Sequence, residues 1–213
     1  MVFDRYCEAM GNCLNSETLP GLKVHMELAP RGRIDSSYTS TPDDSRYAAV
    51  LILLYSVESE IYLPLIRRTA HGTYHAGQIA LPGGGHEGTE IFPVETALRE
   101  AKEEIDIHPS QVEILGALSP LFIPVSNFSV TPVVACTRGE PRLSPQPSEV
   151  EEILTLPLRE ILKSPEEGVF ESSSGKVLAP YYPSSKGRIW GATAMLLSEF
   201  VYIHRIVEHH YKL

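Results

Sequence analysis

Gly83-Gly84-Gly85-His86-Glu87-Gly88-Thr89-Glu90, followed by Pro93-Val94-Glu95-Thr96-Ala97-Leu98-Arg99-Glu100-Ala101-Lys102-Glu103-Glu104-Ile105-Asp106, is a glycine turn running into an acidic helix. Val94, Ala97, Leu98, Ala101 and Ile105 recur at spacings of three and four and mark one apolar stripe. Pro93 suits the first helical position, where its missing N–H is no loss. With that stripe turned inward, Arg99, Glu100, Glu103 and Glu104 face away from the deepest core. Glu100 and Glu104 stand one turn apart, so their side chains can converge on one point. Like charges at this spacing repel, and a divalent cation would compensate them.

Carboxylate oxygens without a Cys or His cluster favour a hard cation, Mg²⁺ or Mn²⁺, over zinc. Arg99, four residues before Glu103, can pair with it and hold it in place. The alternative for a Glu-rich helix taken alone is a solvated acidic face. Two rival readings use the same glycines. Gly83-x-Gly85-x-x-Gly88 matches the dinucleotide fingerprint in form, but three glutamates on the following helix oppose a pyrophosphate unless metal intervenes. A P-loop is excluded because no Gly-Lys-Ser/Thr follows, and His86-Glu87 lacks the second His of a zinc protease.

The pattern resembles the Nudix hydrolase box: Gly, five residues, Glu, seven residues, then Arg-Glu-apolar-any-Glu-Glu-any-Gly-apolar. Gly84, Glu90, Arg99, Glu100, Glu103 and Glu104 match it, with two departures. Eight residues rather than seven separate Glu90 from Arg99, as in the coenzyme A pyrophosphatase-like branch. Asp106 replaces the final Gly, at a site that resembles a left-handed helix cap, a conformation Asp enters more easily than most residues. His75-Ala-Gly-Gln78, Pro124-Val-Ser-Asn-Phe128 and Trp190-Gly-Ala-Thr-Ala-Met195 also resemble that branch. Its signature usually carries an Arg near position 73 and a Phe before Pro82, where this chain has Thr73 and Leu81.

The resemblance implies an α/β/α sandwich with a mixed β-sheet and hydrolysis of a nucleoside diphosphate derivative. It implies Glu100 and Glu104 as principal metal ligands, a Gly83 carbonyl completing the shell, and Glu103 as a ligand or the base. Arg99 joins these as a catalytic candidate. Glu149 matches a position where relatives supply another ligand or base, against the alternative of a surface Glu in an acidic run. Arg67, Arg68, His75 and Gln78, just before the metal turn, are placed to contact phosphates or organise the loop; His75 bonded to backbone is the structural alternative. The expected substrate is coenzyme A or an acyl-CoA. ADP-ribose or a damaged nucleotide is the alternative, and a non-catalytic nucleotide sensor is the reading from a different class.

At 213 residues and 43% hydrophobic content, the chain can bury one substantial core. A net charge of −9 argues against a nucleic-acid polymer as partner, which needs a basic stripe. Cys7, Cys13 and Cys136 are few, odd in number and without metal spacing, so a reduced compartment fits. The first residues lack the basic and apolar regions of a signal peptide, and the longest apolar run, Ala48 to Tyr55, is too short to span a bilayer. The expected setting is the cytoplasm, with no membrane partner.

Residues 1–45 read as an N-terminal extension with a short helix around Phe3 to Leu14, and 46–213 as the hydrolase domain with a C-terminal helix. Tyr47–Tyr55 and Ile61–Arg67 read as strands joined by a turn at Glu58-Ser-Glu60, and Val112–Leu118 and Ser129–Cys136 as two more. Pro141–Ser148 is a loop, Ile153–Leu156 a strand, and Leu158–Leu162 a short helix. Val169–Glu171 with Lys176–Tyr182 is a late hairpin. Ala192–His210 reads as a helix apolar on much of its circumference, buried by the sheet or by a second subunit, and so consistent with a homodimer.

Overall fold

The computed structural model describes residues 2–32, 41–69, 77–172 and 175–211. His75 and Thr73 lie outside the described residues. The architecture is organised around β1 (Arg46–Val57), whose apolar run is covered on both faces and therefore reads as continuous rather than alternating. β1 pairs in parallel with β7 (Phe128–Cys136), from Arg46 opposite Phe128 to Leu54 opposite Cys136. Along its other side run first β4 (Gly83–Gly85) and then β2 (Glu60–Arg68), both antiparallel. β3 (Ile79–Ala80) and β8 (Val150–Pro157) pair with β2, while β5 (Glu113–Ala117) and β6 (Leu121–Ile123) pair with β7. The sheet is mixed, as expected.

Helices cover both faces. On one, Ala97, Ala101 and Ile105 of α3 (Val94–Ile105) pack with Ala49, Leu51, Leu53, Val133 and Ala135. On the other, α1 (Val2–Ser16) and α5 (Gly191–Tyr211) share a core with Ile52, Leu54 and Val134. The N-terminal segment is thus part of the main core, with Tyr6, Met10, Cys13 and Leu14 buried in it. Gly116 makes the close approach possible, because a Cβ there would lie 2.8 Å from the Leu14 Cβ. The apolar circumference of α5 is used within one chain, by α1, the sheet and α2 (Leu22–His25), which removes the reason α5 offered for a homodimer.

A separate three-stranded sheet, β11-β10-β9 (Gly187–Trp190, Gly175–Ser184, Glu166–Ser172), follows α4 (Leu158–Ile161). The two-residue turn at Glu58 and Ser59 has positive φ at both positions, which matches the twist of a tight hairpin. The elements unforeseen in the sequence, α2, β3, β4, β6 and β11, are two to four residues long, too short for a period to show. β8 is longer than expected, and Pro93 is the N-cap of α3 rather than its first residue.

Candidate active site

The glycine turn brings α3 against the sheet. A Cβ on Gly84 would fall 2.5 Å from the carboxyl carbon of Glu100, and one on Gly83 would collide with the Ala49 carbonyl. Only glycines let the Glu100 carboxylate lie flat on this backbone. The Gly83 N–H donates to Glu104 Oε2 at 2.8 Å, so a backbone donor of the turn is answered by the helix.

Glu104 is 1% exposed, which corrects the expectation that it turns away from the deepest core. The apolar stripe predicts direction only for side chains that have nothing to reach, and Glu104 reaches inward to Gly83. Besides that N–H, it has Arg68 Nη1 at 3.6 Å. Burial, with Glu100 and Glu149 nearby, outweighs these two and pushes its pKa up to about 7. Burial likewise raises the pKa of Glu100, against the pull of Arg99, with Glu103 and Glu149 adding to the rise.

Arg99 ties the site together. It donates to the Gly85 carbonyl at 2.7 Å, to Glu100 Oε1 at 2.8 Å and to Glu103 Oε2 at 3.0 Å, and it forms a tight ion pair with Glu90. Glu90 also accepts from the Thr96 hydroxyl at 2.6 Å. Burial opposes its ionisation, but Thr96, Arg99 and the Glu87 N–H prevail and hold its pKa down to about 2. Glu103 stays on the solvent side with 57% of its side chain exposed. Asp106 caps the helix in the left-handed region at φ 58° and ψ 29°, as its place in the box implied.

The remaining candidates divide. Arg68 and Gln78 line a cleft of about 440 Å³ that begins at Gly83–Gly85. Arg67, the next residue along β2, turns elsewhere: it donates to the Lys186 carbonyl at 2.9 Å and lies 3.6 Å from Glu152. Glu149 is exposed, close enough to raise the pKa of both Glu100 and Glu104, and its backbone carbonyl accepts from the Thr69 N–H at 3.0 Å. The residue-level reading missed the apolar part of the cleft, where Ile123, Val125, Phe128, Trp190, Met195 and Leu196 meet. Two stretches that resemble the coenzyme A-type signature were its signal, but nothing in either shows that they face each other.

Among the described residues, no three or more His, Cys, Asp or Glu side chains form a ready-made metal cage. The donor set nevertheless fits Mg²⁺ or Mn²⁺: such ions take one or two carboxylates and complete their shell with water and substrate phosphates. Glu100 and Glu104, whose burial outweighs the pull of Arg99 and Arg68, are the two carboxylates that could hold such an ion. No helix among the described residues is long and apolar enough to cross a membrane.

Known proteins share this sequence pattern and fold. The NUDIX domain family model matches residues 45–174. A protein described as an uncharacterized Nudix hydrolase, NudL, from Pectobacterium atrosepticum is 37% identical over 158 residues, covering 72% of this chain and 80% of its own length. Its namesake from Escherichia coli O7:K1 is 35% identical over the same length and shares. A crystal structure of a MutT/nudix family protein from Enterococcus faecalis has the same fold, with a TM-score of 0.50 at 17% identity over 89% of this chain and 70% of its own. The box, the sandwich and the matched relatives converge, and the chain belongs to the Nudix hydrolases, enzymes acting on nucleoside diphosphate derivatives.

Proposed function

We propose that this enzyme is a Mg²⁺- or Mn²⁺-dependent pyrophosphohydrolase that splits the diphosphate bridge of coenzyme A or an acyl-CoA. The observation that carries the reading is Glu104: a buried carboxylate with one backbone donor and one distant Arg, beside Glu100, bonded to the glycine turn that lines the cleft. Glu100 and Glu104 hold the cation, with Arg99 fixing Glu100 from the side and the Gly83 carbonyl proposed to complete the shell. A cation bound there would neutralise charge on the phosphate oxygens and lower the pKa of a bound water. Arg68 and Gln78, at the mouth of the cleft, meet the phosphates. Glu103 or Glu149 takes the proton from the attacking water. His75 remains a proposed phosphate contact; Arg67 acts through the turn around Lys186, which it holds.

Coenzyme A is favoured by the apolar run of the cleft and by the stretches at Pro124–Phe128 and Trp190–Met195. Thr73 and Leu81, where the branch usually has Arg and Phe, favour a second reading: ADP-ribose or a damaged nucleotide. Three buried free thiols accord with a reduced, cytoplasmic setting. The test is turnover of coenzyme A, acyl-CoA, ADP-ribose and a nucleoside triphosphate panel, with and without Mg²⁺. Metal-dependent release of a 4′-phosphopantetheine product is expected. Tight binding of one compound with cleavage of none would make the protein a sensor instead.

A further inference from the structure

Thr96, in the first turn of α3, is fully buried, yet the proposed chemistry leaves its hydroxyl without a task. His86, the first residue after β4, stands beside it, with Nδ1 3.1 Å from Thr96 Oγ1 and 3.3 Å from Glu90 Oε2. The sheet holds His86 in turn: its N–H donates to the Tyr47 carbonyl at 2.9 Å, carrying the pairing of β4 with β1 one residue further. Its ring meets Phe92 edge-on, with centroids 5.4 Å apart.

Counting hydrogens assigns each contact. Glu90, with its pKa held down to about 2, is ionised and only accepts. Threonine has one hydroxyl hydrogen, and the 2.6 Å contact gives it to Glu90 Oε2. The hydrogen between His86 and these two oxygens is therefore on Nδ1. Glu90 Oε2 is thus gripped by Thr96, by His86 and by the Glu87 N–H at 3.4 Å, which leaves Oε1 to meet Arg99 Nε. Both Nη2 hydrogens of Arg99 are then spent, one on the Gly85 carbonyl and one on Glu100 Oε1. A guanidinium is a rigid planar fork, so once its Nε is aimed the direction of Glu90 is handed on to Glu100.

We infer that Thr96 and His86 are positioning residues: by anchoring Glu90 they aim the Arg99 fork, and so hold the Glu100 carboxylate against the glycine turn where a cation would meet it. The inference rests on the proposed reading of Glu100 and Glu104 as cation ligands and adds the group that orients the first of them. Arg99 has Glu87, Glu90, Glu100 and Glu103 all within 4 Å. With Glu90 unanchored, the fork is free to close on both oxygens of Glu100, and a bidentate arginine competes directly with a cation for that carboxylate.

The test is Mn²⁺ binding to the full chain without substrate, read by electron paramagnetic resonance well below each variant's thermal midpoint. Thr96→Val keeps the shape and removes the hydroxyl, and the Mn²⁺ Kd rises about tenfold. Thr96→Ser restores the hydroxyl and keeps the Kd near that of the parent. His86→Phe keeps the ring against Phe92 without its N–H and weakens binding in the same direction, while His86→Asn, whose amide N–H can take the place of Nδ1–H, recovers it. An unchanged Kd in Thr96→Val and His86→Phe, or the same loss in Thr96→Ser as in Thr96→Val, makes the pair a joint of the fold and overturns the inference while the ligand assignment stands. Absence of Mn²⁺ binding to the parent, or equal binding by the parent and Glu104→Gln, overturns the ligand assignment and the inference with it.

Discussion

Glu104 on α3 and Glu199 on α5 are both buried carboxylates on helices that cover opposite faces of one sheet, and they are treated in opposite ways. Glu199 accepts from the Gly21 N–H, the Ser119 N–H and the Ser119 hydroxyl, each at 2.8 Å, and lies 3.2 Å from His25 Nε2. Burial alone would raise its pKa, yet these donors bring it below the usual carboxylate value. Glu104 has one N–H and a longer approach to Arg68, and its pKa climbs to about 7. A carboxylate with its lone pairs filled is a joint of the fold. One left short of partners behind the glycine turn is a carboxylate that could hold a cation.

The sharpest way to break this comparison is to remove Glu199. Glu199→Ala strands Gly21 and Ser119 donors in the core and should cost about 3–5 kcal/mol, read from urea unfolding. Activity per folded molecule should stay close to normal, and a stable but inactive variant would overturn the division of roles. Glu104→Gln is the mirror experiment. Metal-dependent turnover should fall roughly a hundredfold or more, with an unchanged circular dichroism spectrum. The amide keeps an acceptor for the Gly83 N–H without a buried charge, so the metal-free variant at pH 8 should be at least as stable as the parent. Turnover near normal would reject Glu104 as a ligand.

Arg99→Lys tests the clamp between the two regions of charge on α3. Lysine keeps the charge but not the fork that reaches Gly85, Glu90, Glu100 and Glu103 together, and turnover should fall about tenfold. The smallest effect is expected from Glu90→Gln, through its pH dependence. The folded pKa of Glu90 is about 2, below the ordinary carboxylate value of 4.5, so its ion pair stabilises fully above pH 4.5 and fades as pH falls toward 2. The stability difference between parent and variant, measured by urea unfolding across that range, should be largest at neutral pH and close to zero at the acid end.

Much of this was legible in order along the chain. The stripe Val94, Ala97, Ala101 and Ile105, the Pro93 start and the Asp106 stop mark out α3 because helix periodicity and caps are local matters. The run Ala48–Tyr55 reads as a strand for the same reason. Arg67 and Arg68 show where locality ends. The pairing of β2 with β8 shifts register between them, and one lines the cleft while the other secures the turn at Lys186; no composition argument separates them.

The sequence by itself marked out the residues: glycines where a carboxylate must approach backbone, two glutamates one turn apart, and an arginine beside the first of them. Spacing of this kind is written into neighbouring residues and survives without a fold. The tertiary structure alone decided that Glu104 is buried while Glu103 is not, that residues 2–16 belong to the main core, and that Trp190 and Val125 line one cleft. Burial depends on which distant segments pack together, and the burial of Glu104 is what no local pattern could show.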